Sequence, residues 1–269
     1  MDPLTDLSDH ALARAIEDNE IEFLLALGRA GGGEERTDDR ITWNIGGSPI
    51  GYHNCVVRAD LRPQDANEVI IASRELMSDK GVAGSWHVGP SMRPDDLGPR
   101  LEAHGFEGGP EPGMAADLEA LIEPAAIDGW HVDRVTTKPQ LDAYEHVLSL
   151  GFGEGPREAR WVCAMYDRIG LAGDTDWGHY VGSLAGTPVA TASIFLGAGV
   201  AGLYFVSTAP AFRRRGLGMA ISYTALAGAR DLGFRAGVLG SSPMGHAVYR
   251  RLGFRDVCDI DVYEWEPDR

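Results

Sequence analysis

The sequence predicts an α+β protein built of two tandem domains, each a twisted mixed β-sheet flanked by helices. Three observations carry the prediction. Apolar runs of strand length alternate with segments of helical spacing along all 269 residues. The order strand, helix, strand, short helix, Gly-Phe occurs twice, with 48 residues from Val57 to Gly105 and 47 from Val206 to Gly253. Length is the third: at roughly 100–200 residues per domain the chain accommodates two. The halves are taken as residues 1–125 and 126–269.

The elements follow in order. Ser8 is an N-cap for a helix through Ala11, Ile16, Ile21 and Leu24-Leu25 that stops before Gly31-Gly32-Gly33. Strands are expected at 43–45 and 52–61, a helix at 63–78 and a short strand at 84–88. Pro94-Asp95-Asp96 opens a helix closing at Gly105-Phe106, with Pro in its first turn and acids at the positive end of its dipole. Three Gly and two Pro make 106–113 a loop, and 114–121 reads equally as strand or short helix. In the second half a strand at 131–137 leads to a helix at 139–150 and a helical or irregular stretch at 156–169, then a hairpin of 180–184 with 189–195. A strand at 200–208, a helix at 218–232, a strand at 236–239, a short helix at 245–252 and a last strand at 257–265 complete the chain.

Composition narrows the function. With 24 Lys+Arg against 40 Asp+Glu the net charge is −16, opposite to the basic footprint of nucleic-acid binders and of proteins on anionic membranes. The long uncharged stretch 177–212 is broken by Gly and Pro, so it reads as successive buried strands and not as a membrane span. Cys55, Cys163 and Cys258 have no metal-ligand or disulfide spacing, as expected of reduced thiols in a cytoplasm, and no metal is implied. The amino terminus, Met1-Asp2-Pro3, lacks the positive charge of a secretory signal.

Between a buried strand and a helix lies Phe212-Arg213-Arg214-Arg215-Gly216-Leu217-Gly218. Its glycines permit unusual dihedrals and close approach, the first-turn amides of the helix attract negative charge, and the arginines add to it. This is an anion cradle, or else a helix start with a solvated basic run. There is no Gly-Lys-Ser/Thr of a P-loop and no Gly-x-Gly-x-x-Gly on a first strand.

The segment from Leu203 to Gly218, with its strand, Ala209-Pro210 turn and Arg213-Arg214-Arg215-Gly216-Leu217-Gly218, resembles motif A of the GNAT superfamily of acetyl-CoA-dependent N-acyltransferases. Ser242 to Phe254, ending Tyr249-Arg250-Arg251-Leu252-Gly253-Phe254, resembles motif B, and the joint resemblance covers about 175–265. It implies that backbone groups of Val206, Ser207 and Thr208 pair with the pantetheine arm of acetyl-CoA, and that the amides of Arg214, Arg215, Gly216, Leu217, Gly218 and Met219 hold the pyrophosphate beside the charge of Arg213. Ser242 stands where many members place an Asn against the cofactor. Tyr249 matches the tyrosine that protonates the departing thiolate, and a phenol with a pKa near 10 stays protonated to do so; the competing reading is an amphipathic core tyrosine.

No general base is legible. Where some members carry a strand glutamate this chain has Gly202 or its uncharged neighbours, leaving Tyr204, His246, His179 and Asp176 as candidates by proximity, or a lowered amine pKa or a water relay in place of a base. The first half has Arg62-Pro63-Gln64-Asp65-Ala66-Asn67 and Leu101 at the corresponding places, so it should neither cradle pyrophosphate nor donate a proton. Its Trp86-His87-Val88-Gly89-Pro90 through Pro94-Asp95-Asp96-Leu97-Gly98, then Gly105-Phe106 and Gly113-Met114-Ala115, resembles the degenerate amino-terminal half of some tandem bacterial GNAT proteins. Its Trp43, Tyr52, His53, Asn54, Trp86 and His87 line a pocket or, more simply, pack in the core. The expected function is acetyl transfer from acetyl-CoA to a primary amine of a small molecule, or less readily of a protein, by direct attack in a ternary complex. A non-catalytic acyl-CoA sensor and a hydroxyl acyltransferase are the alternatives.

Overall fold

A computed structural model describes residues 2–171 and 176–267. Met1, at the head of the expected unsignalled terminus, and Thr175, where the family resemblance begins, lie outside the described residues. In chain order the first elements are α1 (Asp9–Gly31), β1 (Glu34–Thr37), β2 (Ile41–Ile45), β3 (Cys55–Ala59), α2 (Ala66–Asp79), β4 (Gly84–Val88), α3 (Leu97–Ala103) and β5 (Glu107–Asp117). They are followed by β6 (Trp130–Arg134), α4 (Lys138–Ser149), α5 (Pro156–Ile169), β7 (Trp177–Leu184), β8 (Thr187–Gly197) and β9 (Val200–Thr208). Last come α6 (Leu217–Asp231), β10 (Ala236–Gly240), α7 (His246–Leu252) and β11 (Arg255–Trp265). The α+β class is that expected. The chain forms two compact units, Met1–Asn19 with Gly113–Val257, and Glu20–Pro112 with Cys258–Arg269.

In the unit built around 20–112, β1, β2 and β3 form an antiparallel meander. Strand β4 lies parallel to β3 through Cys55–Ser85 and Val56–Trp86, with α2 as the crossover. Residues Asp261–Trp265 pair antiparallel with β4. Its core includes Ile45, Val56, Ile70, Met77, Trp86 and Leu101. Trp86 is wholly buried, and its indole N–H is satisfied by the Ser73 hydroxyl at 3.0 Å.

The unit built around 113–257 repeats this plan. Strands β6 to β9 are an antiparallel meander. The crossover helix α6 leads to β10, parallel to β9, and Gly113–Asp117 pair antiparallel with β10. Leu203, Ile221, Leu226, Leu239, Leu252 and Phe254 are among the side chains of its core.

Four segments differ from or sharpen the expectation. The Gly/Pro-rich run 106–113, expected as a loop, lies largely within β5. Gly108 explains the misleading composition: a Cβ there would overlap the Val262 carbonyl, so backbone proximity and not a turn selects glycine. The 114–121 stretch is both of its alternatives, strand to Asp117 and then a 3-10 turn at Leu118–Ala120. Strand β3 begins only at Cys55 because Gly51–His53 form a 3-10 turn, and the exposed, polar β1 carries no apolar alternation to announce it.

Candidate functional site

Strand β9 is paired with β10 near its start. Its parallel pairing with β10 comprises Ala201–Gly237 and Gly202–Val238, whereas β10 continues against β5 through Leu239–Met114 and Gly240–Gly113. On the other side, Thr191 is opposite Ser207 but Ser193 is opposite Tyr204, so β9 carries one extra residue there, a β-bulge. Phe205 sits in the bulge with φ +49°, a left-handed conformation rare for an aromatic side chain. Thr191 Oγ1 holds it by donating to the Phe205 carbonyl at 3.0 Å. The bulge re-aims Val206, Ser207 and Thr208 beyond the point where β9 and β10 are paired. Val206 and Thr208 are half-buried, and Ser207 is buried with a hydroxyl that has no hydrogen-bond partner among the described residues.

Beyond β9 the chain makes a 3-10 turn at Pro210–Phe212 and reaches Arg214 at φ +61° and Gly216 at φ +80°. Two left-handed residues within three turn successive amides toward one side, a geometry suited to anions. The first N–H inside α6 to find a carbonyl is that of Ala220, bonded to Gly216 at 3.0 Å. The amides of Leu217, Gly218 and Met219 form the unbonded first turn of a 15-residue helix. Leu217, 1 % exposed, anchors this turn in the core. Gly218 has no left-handed backbone, and a Cβ there would meet only the Thr208 hydroxyl, at an ordinary 3.4 Å. Nothing within the chain therefore calls for glycine at 218, whereas a ligand lying on the turn would.

The three arginines divide. Arg213 turns inward: Nε donates to the Thr208 carbonyl at 3.0 Å and Nη2 to that of Gly151 at 3.1 Å. Arg214 and Arg215 are exposed, and Arg215 lies 5.4 Å from the centre of the Phe212 ring. Arg213 is thus a brace of the loop, and the outer pair supplies its positive field.

Tyr249 is 9 % exposed and packs in the core cluster, 6.0 Å from the Phe254 ring. Helical side chains lean toward the amino end, and its ring edge comes 2.8 Å from where a Gly245 Cβ would stand. The phenol is thereby brought to the turn at the start of α7. Ser242 lies in the same turn, its hydroxyl accepting from the Gly245 amide at 3.3 Å and its carbonyl from Gly245 and His246. Val206 and Met219 pack on the cluster that contains Tyr249. The structure thus gathers β9, the start of α6 and α7 around one core, with Ser242 engaged in its own turn.

Of the neighbours considered for a base, Tyr204 and His246 are engaged by side-chain partners. The Tyr204 hydroxyl donates to Asn19 Oδ1 at 2.7 Å, and His246 Nε2 lies 2.7 Å from Asp256. His179 is buried, and burial lowers its pKa to about 3, so it is neutral at physiological pH. Asp176 is exposed, with its carbonyl accepting from Leu196. A Cβ at Gly202 would overlap Asn19, so no carboxylate fits there while Asn19 stands in place.

Asn19, Thr191 and Ser193 escape a motif reading because they lie outside both motifs. Asn19 is fully buried and donates to the carbonyls of Gly197 (2.9 Å) and Phe195 (3.4 Å). The signal available was a lone Asn on the apolar face of the first helix. Among the described residues no cluster of His, Cys, Asp and Glu is arranged to hold a metal, and no helix is long and apolar enough to cross a membrane.

Residues 141–254 match the model of the acetyltransferase (GNAT) family. No curated protein matches the chain in sequence. Among solved structures, a GCN5-related N-acetyltransferase from Kribbella flavida superimposes with TM-score 0.71 at 16 % identity, covering 93 % of this chain and 96 % of its own. A functionally unknown conserved protein from Staphylococcus epidermidis gives 0.68 at 16 %, with 88 % and 95 % covered. A tandem GNAT protein from the clavulanic acid biosynthesis pathway gives 0.56 at 17 %, covering 100 % and 99 %. Residues 141–254 thus match a GNAT acetyltransferase domain, and the chain shares the fold of GNAT N-acetyltransferases.

Proposed function

We propose that this protein is an N-acetyltransferase that moves the acetyl group of acetyl-CoA to a primary amine of a small molecule, by direct attack in a ternary complex. The observation that carries the reading is the run from the β9 bulge to the start of α6, where a re-aimed strand end leads into two left-handed residues and an unbonded helix turn. In this reading the backbone of Val206, Ser207 and Thr208 pairs with the amide-bearing pantetheine arm. The amides of Arg214 to Met219 receive the pyrophosphate in the field of Arg214 and Arg215, Arg213 braces the loop, and Ser242 borders the cofactor. The catalytic domain is 126–269, and 1–125 is a degenerate counterpart without the glycine cradle.

The chemistry follows from bonds made and broken. The neutral amine attacks the thioester carbonyl carbon, and the tetrahedral intermediate collapses with cleavage of the carbon–sulfur bond. Tyr249 donates its phenolic proton to the leaving thiolate, the new amide nitrogen gives its proton to water, and water returns a proton to the Tyr249 phenolate. No metal takes part. A reducing cytoplasm is the compartment that fits a thiol product, and the net charge of −16 favours a cationic acceptor.

One observation favours a second reading, a non-catalytic acyl-CoA sensor: Gly202 excludes a strand carboxylate, and Tyr204, His246 and His179 are engaged or buried. Measuring thiol release from acetyl-CoA across aminoglycosides, amino acids and polyamines separates the two. Amine-dependent release supports the transferase, whereas saturable binding of acetyl-CoA without release with any amine supports the sensor.

A further inference from the structure

The bulge of β9 is backed by a buried polar cluster that no motif contains. Ser193 of β8 faces Tyr204 across the ladder, beside the bulge, and is itself 0 % exposed. Three side chains from three elements converge on its hydroxyl: Tyr144 of α4 at 2.8 Å, Tyr166 of α5 at 3.1 Å and Nδ1 of His179 on β7 at 2.9 Å. A serine hydroxyl has one proton and two lone pairs, so these contacts use its whole capacity. The His179 ring stacks on Tyr166, centroids 3.6 Å apart, while its Nε2 is buried without a partner among the described residues. The same Tyr166 ring meets Phe205 edge-on at 6.1 Å, and Phe152 closes on Phe205 at 5.2 Å.

An apolar cluster of this volume would be as stable and would leave no orphan nitrogen. What the polar cluster adds is direction. Four groups must be placed to about the tolerance of a hydrogen bond for each to be satisfied, and that fixes α4, α5 and β7 against β8 at the residue beside the bulge.

We propose that Ser193 is a positioning residue for acyl-CoA: clamped by Tyr144, Tyr166 and His179, it sets the bulge at Phe205 and so the aim of Val206–Thr208. This rests on the acyl-CoA reading of the preceding section. Ser193 touches no substrate; it acts through Thr191, its neighbour but one on β8, which is hydrogen-bonded to the bulge.

The test compares Ser193→Ala, Tyr166→Phe and Phe234→Leu in the full chain. Phe234 is a core residue beyond the carboxyl end of α6 and serves as a control for lost stability alone. Calorimetry with acetyl-CoA is run well below each melting temperature, with steady-state kinetics on an active amine. Ser193→Ala is expected to weaken acetyl-CoA binding and raise its KM about tenfold, the order of one misplaced set of hydrogen bonds, with kcat nearly unchanged. Tyr166→Phe is expected to shift both in the same direction by less, and it carries the test if Ser193→Ala does not fold. Phe234→Leu should lower the melting temperature and leave affinity intact. Wild-type affinity in the Ser193 or Tyr166 variant, or an equal loss in Phe234→Leu, overturns the inference. A wild-type protein that does not bind acetyl-CoA at all overturns the functional reading itself, which is a distinguishable result.

Discussion

The Arg213 guanidinium donates to the carbonyl of Thr208, the last residue of β9, at 3.0 Å. Its other arm reaches Gly151, just past α4, at 3.1 Å. One side chain thus ties the end of the strand and the exit of a helix to the loop that precedes α6. Arg213→Ala should cost about 1–3 kcal/mol, the range for hydrogen bonds to a charged group, seen as a lower melting temperature. Arg215→Ala should leave melting unchanged and weaken acetyl-CoA binding, with a shallower salt dependence. If Arg213→Ala melts like the wild type, the brace is not structural.

The two cradle glycines should respond differently to the same change. Gly216 holds φ +80°, a conformation that penalises any side chain, so Gly216→Ala should destabilise the fold by about 1 kcal/mol or more. Gly218 has ordinary helical backbone and room for a Cβ, so Gly218→Ala should hold or raise stability, alanine being the better helix former by about 1 kcal/mol. Denaturant melts of the two variants check the contrast, and equal losses would contradict the placement of the left-handed turn.

Tyr249 separates chemistry from packing. As the proton donor, Tyr249→Phe should lower kcat by roughly 10²–10⁴ while acetyl-CoA affinity, carried by Val206–Met219, changes little. As a core residue only, it would lower the melting temperature and leave turnover per folded molecule intact. Kinetics and melting of one preparation decide, and an unchanged kcat removes Tyr249 from the mechanism.

His179 gives a pH signature. Its pKa falls from the ordinary 6.5 to about 3 because burial disfavours the imidazolium. Below about 6.5 the unfolded chain therefore binds a proton that the folded chain refuses, and stability declines as pH falls. The full contribution is present above about 6.5 and is lost at up to about 1.4 kcal/mol per unit below it. Stability measured in urea from pH 7 to 5 should fall more steeply for the wild type than for His179→Gln. Parallel curves would show that the imidazole titrates normally.

Much of this was legible in the sequence, for physical reasons. The strand 200–208 coincides with its expected limits because Thr208-Ala209-Pro210 punctuates it, and the stretch 156–169, open between helix and irregular structure, is a helix over those limits that begins at Gly155-Pro156. The cradle declared itself through Gly216 and Gly218, since a left-handed turn and a close approach leave few other choices. Positions that act by tertiary contact were silent. The Phe205 bulge arises from pairing with Thr191 and Ser193, and no local propensity places a left-handed phenylalanine in a strand. Asn19, 183 residues before Gly202, excludes a side chain there by contact alone. Gly108 was misread because glycine marks both turns and backbone contacts.

Calorimetric titration of acetyl-CoA into the wild type and Gly218→Leu tests the central claim most directly, that this chain binds acyl-CoA on the turn between β9 and α6. Gly218→Leu is the informative variant because its Cβ has space in the free protein while the longer side chain fills the cradle. The account predicts one site per chain in the wild type and no measurable binding to a folded Gly218→Leu. Two sites per chain, or a single site that survives in the folded variant, would contradict it.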